Sequence, residues 1–333
     1  MHETPLPTNM TRPFLVTTLT LALNLLNAAE TPKPVGTHDI VGTLENPTLV
    51  SRLEIMKPGV YENFIVDAQG AGGNIVKITA DNVILRHCEI RNATGNAVGV
   101  FGTTVVIENC RIHHLLNGTF QAQDDAHGIT GRWGNVTIRN CDISYCSGDC
   151  IQFDPDRASQ GTLLIESCHL WTGPLPADTL GFKAGERPGE NAFDSKTKPD
   201  GERCKLMMRN CHLHGFNQPA QISTMAALNL KENLTAGITH CVFHDNEVAF
   251  RVRGPGSRGG AHVTITDCAI YDTQVGVRAE DKIEQLKIID LAFGPGVPSR
   301  MERHNGKELP GFESSGEHDA PPMETLLKTG FGR

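Results

Sequence analysis

One nine-residue pattern occurs seven times in this chain, and that repetition limits what it can fold into more than any other feature. Aligned on a cysteine, the copies are NVILRHCEI (82–90), TVVIENCRI (104–112), NVTIRNCDI (135–143), TLLIESCHL (162–170), KLMMRNCHL (205–213), TAGITHCVF (235–243) and HVTITDCAI (262–270). An eighth copy, QLKIIDLAF (285–293), has Leu291 in the cysteine column. The second and fourth positions are apolar, as at Val136 and Ile138; then the phase slips, and the seventh and ninth are apolar, as at Cys141 and Ile143. Strict alternation describes one strand with one buried face. A slip means that the chain turns a corner between two short strands, both of which point their apolar residues inward. The corner is Asn109, Asn140 or Asn210, with His87, Ser167, His240 or Asp267 in other copies. Asn tolerates the left-handed backbone that a sharp corner requires.

A third short strand precedes the later copies: AVGVFG (97–102), HGITGR (127–132), CIQFDP (150–155), AFDSKT (192–197), AFRVRG (249–254) and VGVRAE (275–280). One coil lacks such a strand, and PAQIST (219–224) is the candidate for it, with its register open. Three strands per coil, stacked in parallel, make a solenoid whose copy-to-copy spacing varies through inserted loops. The 34 glycines and 5% aromatic content suit a β-rich chain with many turns.

With these segments in view, the sequence resembles the right-handed parallel β-helix proteins of the pectate-lyase-like class, and KPGVYENFIVD (57–67) looks like their opening coil. The resemblance spans residues 50–295. It implies an all-β fold, a right-handed parallel β-helix solenoid with about nine coils. It implies little about chemistry, because one fold hosts many functions. The expected organisation is a signal peptide over 1–29, the β-helix over 30–295 and a C-terminal cap or tail over 296–333.

The signal peptide is read from Arg12, the apolar run FLVTTLTLALNLL (14–26) and the small residues Ala28 and Ala29. The run falls short of the ~20 residues that a spanning helix needs. Localisation is therefore expected to be secreted or periplasmic, with no membrane span. A net charge of −8 argues against non-specific nucleic-acid binding, which needs clustered Lys and Arg. A monomer is expected. Seven of the ten cysteines share the inward column, where parallel side-chain vectors do not converge, so they are read as buried thiols rather than disulfides.

Two long insertions, HLLNGTFQAQDDA (114–126) and WTGPLPADTLGFKAGERPGEN (171–191), enter the face carried by HGITGR, CIQFDP and AFDSKT, and are expected to wall a cleft. A two-residue period on those strands puts Thr130, Gln152, Asp194, Arg251 and Arg278 in one outward column, and Arg132, Asp154, Lys196, Arg253 and Glu280 in a second. Asp125 and Asp149 sit at the cleft edge.

Acids beside bases fit uronate β-elimination. The substrate carboxylate is neutralised by Ca²⁺ or Arg, and a lysine takes the α-proton. In that scheme Lys196 or Lys183 is the base, with Arg251 beside it. Asp125, Asp149, Asp154 and Asp194 are the candidate Ca²⁺ ligands. Arg132, Gln152, Arg253 and Trp171 bind the acidic polysaccharide. DAHGI (125–129) and SGDCIQF (147–153) resemble strands of family-nine pectate lyases; LGFKAG (180–185) matches their lysine motif by letters, and NAFDSK (191–196) by place in the repeat. The resemblance is incomplete, because Gly148 and Gln152 stand where acids are expected. SGDCI (147–151) also resembles a polygalacturonase-type strand, with Asp149 alone left of its acid pair and His127 where an earlier Asp would be. A hydrolase, with Asp149 and Asp194 as its carboxylates, is therefore one alternative. A glycan-binding surface protein is the other.

Overall fold

The computed structural model describes residues 34–36, 44–153, 161–197, 202–218, 225–253, 260–280, 283–303, 309 and 311–331. The repeat copies build a three-sided solenoid. Each coil contributes one strand to each of three long sheets, and every pairing within them is parallel. Sheet 1 carries the strand that precedes each repeat copy, sheet 2 the first half of the copy, and sheet 3 the second half. Among the described residues, sheets 1 and 2 are 10-stranded and sheet 3 is 11-stranded, somewhat more than the nine coils expected.

The corners explain the phase slip. His87, Asn109, Asn140, Ser167, Asn210, His240, Asp267 and Asp290 all have φ between 49° and 54°, each at the junction of sheets 2 and 3. Two neighbouring corners are joined by their side chains, Asn140 Nδ2 donating to Asn109 Oδ1. On either side of the corner the apolar positions point inward. Val136, Ile138, Cys141 and Ile143 of one coil are all buried, as are their counterparts above and below. Side chains of this size each contribute roughly 1.5–3 kcal/mol when fully buried.

The seven aligned cysteines, Cys88, Cys110, Cys141, Cys168, Cys211, Cys241 and Cys268, are buried and free, as are Cys146, Cys150 and Cys204. Each thiol of the column donates to the carbonyl two residues before it, for example Cys141 Sγ to Arg139 O at 3.3 Å. Burial pushes the Cys110, Cys141 and Cys241 thiols well above their usual range, which keeps them protonated.

Two expectations change. The chain beyond 295, expected as a cap or tail, also adds strands: Ser299–Arg303, Phe312–Ser315 and His318–Asp319 extend all three sheets. Past them, helix Met323–Thr329 lays Leu326 on Val242, Ala269 and Ala292 of sheet 3. The coil without an assigned sheet-1 strand is completed by Ala226–Lys231. PAQIST (219–224) lies outside the described residues, as does the signal segment 1–29. No helix among the described residues is long and apolar enough to cross a membrane.

Candidate functional site on sheet 1

The register of sheet 1 aligns Thr130, Gln152, Asp194, Asn229, Arg251 and Arg278 in one outward column. This is the expected column with Asn229 added. Although these side chains leave the solenoid, Thr130, Gln152, Asp194, Asn229 and Arg251 are only 2–6% exposed. The row is recessed. The Asn229 Oδ1 atom is buried without a hydrogen-bond partner, an unusual state for a buried polar atom.

Asp149 lies at the entrance to its strand, fully buried. One carboxylate oxygen accepts from Asn191 Nδ2 at 2.8 Å; the other, Oδ2, has no hydrogen-bond partner and stands 3.6 Å from His127 Nδ1. The Asp149 N–H donates to the same His127 Nδ1 at 2.9 Å, which fixes that nitrogen as an acceptor. Gly148 makes room for this ring, since a Cβ there would approach His127 Nδ1 to 2.7 Å. Burial, together with the nearby Asp194 and Glu190 charges, pushes the Asp149 carboxyl well above the usual range, and the Asn191 bond opposes it. Burial also raises Glu190, helped by Asp194 and Asp125 and opposed by Lys231 and Lys196.

Asp194 is raised by burial and held down by Lys231. The Lys231 ammonium stands 2.9 Å from Asp194 Oδ1 and donates to Oδ2 at 3.0 Å. Lys196 lies near enough for its charge to act on Asp194 and Glu190. Among the described residues, no carboxylate comes within 4 Å of its ammonium in an ion pair. Further along the sheet, Glu280 accepts from Arg251 Nε at 2.6 Å and from Arg253 Nε at 2.8 Å. Burial pulls Arg251 below its usual range, against the pull of Glu280.

Several expected members fall elsewhere. Lys183 is exposed in its loop and bound to Asp178 at 2.9 Å; that hydrogen bond raises its pKa, the wrong direction for a base. Trp171 belongs to sheet 3, where its indole donates to Asp142 at 3.2 Å, so it does not line the sheet-1 face. Asp125 is exposed at the rim, 3.8 Å from His127 Nε2. Arg132 is exposed just past the strand Ile129–Gly131. Asp154 lies outside the described residues.

The two long loops do not stand apart as walls. Leu116 and Phe120 of the first pack with Leu175, Leu180 and Phe182 of the second, and the Gly189 N–H donates to Gln123 Oε1 at 3.1 Å. Five apolar side chains in exposed insertions bury one another rather than face water. The two insertions are therefore joined to each other by packing and by a hydrogen bond.

Of the four expected calcium ligands, the three among the described residues do not form a calcium shell. Ca²⁺ takes six to eight oxygens, with ionised carboxylates among them. Among the described residues Asp125, Asp149 and Asp194 do not bring their oxygens together in one cluster, the Lys231 ammonium occupies Asp194, and Asp125 stands at the rim.

Sequence reasoning missed Asn229, Lys231, Glu190 and Asn191. The first two were legible in AALNLK, where Leu228 and Leu230 alternate with Asn229 and Lys231.

A family described as "Right handed beta helix region" matches residues 68–174. The structure is similar to that of pectate lyase Pel9A, with a TM-score of 0.55 and 14% identity over 82% of this chain and 67% of that one. It is also similar to PfbA, a surface adhesin of Streptococcus pneumoniae, with a TM-score of 0.50 and 10% identity over 80% of this chain and 78% of that one. The fold is a right-handed parallel β-helix. No curated protein matches the sequence. At these identities the likeness concerns the β-helix alone, since the two relatives are a lyase and an adhesin.

Proposed function

We propose that this β-helix is an exported carbohydrate-active enzyme that binds an acidic polysaccharide along sheet 1 and cleaves it by β-elimination. The observation that carries the reading is the recessed polar row, in which outward side chains one strand spacing apart are buried and the Asn229 Oδ1 atom lacks a protein partner. A sugar hydroxyl can donate to that oxygen, and uronate carboxylates can accept from the cations of the same face. Export rests on the signal-like segment 1–29.

Lys196 is the proton-abstracting base. Pairing with Asp194 would spoil that role, but Lys231 already holds this carboxylate. The neutral amine takes the proton α to the uronate carboxylate, the glycosidic C–O bond at the β-carbon breaks, and a C=C bond forms between the two carbons. The leaving oxygen takes up a proton. Arg251 and Arg253, which share the Glu280 carboxylate, supply the positive charge that makes the α-proton acidic.

The test is a panel of acidic polysaccharides, read by ultraviolet absorbance of unsaturated uronate and by new reducing ends. Both should rise for one substrate, and Lys196→Ala should lower turnover by about 10²–10⁴-fold. Full activity in Lys196→Ala would reject that lysine. Reducing ends without absorbance would mean hydrolysis, a reading favoured by the contrast between buried Asp149 and ammonium-paired Asp194. Binding with neither signal would mean a glycan-binding surface protein.

A further inference from the structure

Sheet 3 carries a second ordered array on its outer face. Its register places His169 beside His212 on the next strand, and Trp171 beside His214, which is followed by His244. The His169 and His212 rings stack at 4.8 Å and 7°, and those of His214 and His244 at 4.4 Å and 12°. Diagonal contacts join the two columns: His169 Nε2 lies 2.9 Å from His214 Nε2, and His212 Nε2 lies 2.8 Å from His244 Nε2. Asp142 on the preceding strand meets His169 Nδ1 at 3.1 Å.

Ring stacking alone would leave the ring nitrogens facing water. Here they converge. One ligand atom from each of His169, His212 and His214 lies within 4.8 Å of the others, and all three residues are half-buried. Two nitrogens on one tetrahedral Zn²⁺, with bonds of about 2.0–2.1 Å, stand about 3.3 Å apart. The 2.9 Å between His169 and His214 Nε2 needs only a small opening to reach that value. The Asp142 carboxylate on His169 Nδ1 fixes the tautomer that leaves Nε2 free to coordinate, a partner that metal-bound histidines commonly have.

We propose that His169, His212 and His214 bind a divalent transition-metal ion of the Zn²⁺ class on the outer face of sheet 3. Neutral imidazoles select borderline ions and disfavour Ca²⁺ and Mg²⁺, which take oxygen ligands. The ion bridges two successive coils at the root of the 171–191 loop. The site is independent of the sheet-1 row and of any activity there.

The experiment uses the full chain without a histidine tag, stripped with chelator and titrated with Zn²⁺ by calorimetry. One ion per chain is expected, with no heat from Ca²⁺ or Mg²⁺. The ten thiols are buried and do not compete in the folded protein. His169→Gln/His214→Gln should abolish binding, and Asp142→Asn should weaken it by about 10- to 100-fold. His262→Gln, on sheet 2 beside Glu284, should leave it unchanged. Circular dichroism of each variant without metal checks folding. If the double variant fails to fold, single His214→Gln and Asp142→Asn carry the test. No Zn²⁺ binding by the parent, or binding that these substitutions leave intact, would overturn the proposal and leave a hydrogen-bonded stack of rings.

Discussion

Removing the cation from the Lys231–Asp194 pair should destabilise the protein in a pH-dependent way. The side chains are 15% and 6% exposed, with the ammonium 2.9 Å from Oδ1. At an effective dielectric constant of ~20, unit charges at that distance attract by about 6 kcal/mol, and desolvation of both groups offsets most of it. Deleting one partner is different, because the other charge is left buried. Lys231→Met keeps the stem and removes the charge, so the loss should reach about 3–5 kcal/mol at pH 7. Asp194 then has one escape, which is to take up a proton.

Its folded pKa is already raised, and losing Lys231 raises it further. A carboxyl with a raised folded pKa keeps its stabilising proton below the unfolded pKa, and that stability is lost as pH rises through the folded pKa. The gap between parent and Lys231→Met should therefore be widest at neutral pH and close in acid. Urea unfolding of both proteins at pH 7.0 and at roughly pH 4.5 measures it. Adding Asp194→Asn to Lys231→Met should recover most of the loss at pH 7. A gap of equal size at both pH values, with no recovery in the double variant, would show that Lys231 matters only through packing of its stem.

Two further outcomes are expected. A thiol reagent should modify none of the ten cysteines in the native protein and all ten in denaturant, because every one is buried and free. Gly215→Ala should destabilise by more than the ~1–2 kcal/mol of an ordinary left-handed non-glycine residue, because an added Cβ at φ +91° would also strike the Thr172 carbonyl oxygen; melting temperature reads this.

The solenoid was legible because the coil is a sequence-local unit. Each cysteine marks an inward position, and each corner residue before it marks a turn. The sheet-1 strand Ala226–Lys231 was harder to find, since PAQIST just before it offered a competing candidate and the strand carries no cysteine of its own. Lys231 was lost with it, and so was the physical reason that Lys196 is not held by Asp194. The loops were misjudged for a different reason. Their length is visible in the sequence, but the mutual burial of Phe120 and Phe182 depends on long-range packing. Trp171 was read as the first residue of the long insertion 171–191, although it lies three residues after Cys168, an outward position of sheet 3. The same offset finds the histidines: His169 and His212 follow a column cysteine by one residue, and His214 and His244 by three. The repeat that revealed the core therefore also indexes the outside.

The thiol column has a consequence for how the chain reaches this state. Partner residues on neighbouring parallel strands lie about 4.8 Å apart, within the Cα range that a disulfide spans; only the parallel direction of the side chains keeps the sulfurs from bonding. A nascent chain has no such direction imposed on it. Seven thiols, spaced one per coil, are then free to pair in wrong combinations, and each wrong link would tie two coils out of sequence. Under oxidising conditions folding and oxidation therefore compete for the same atoms. A coil that closes early takes its sulfur out of that contest, and growth by adding each coil to the last favours the native outcome because it exposes few thiols at once.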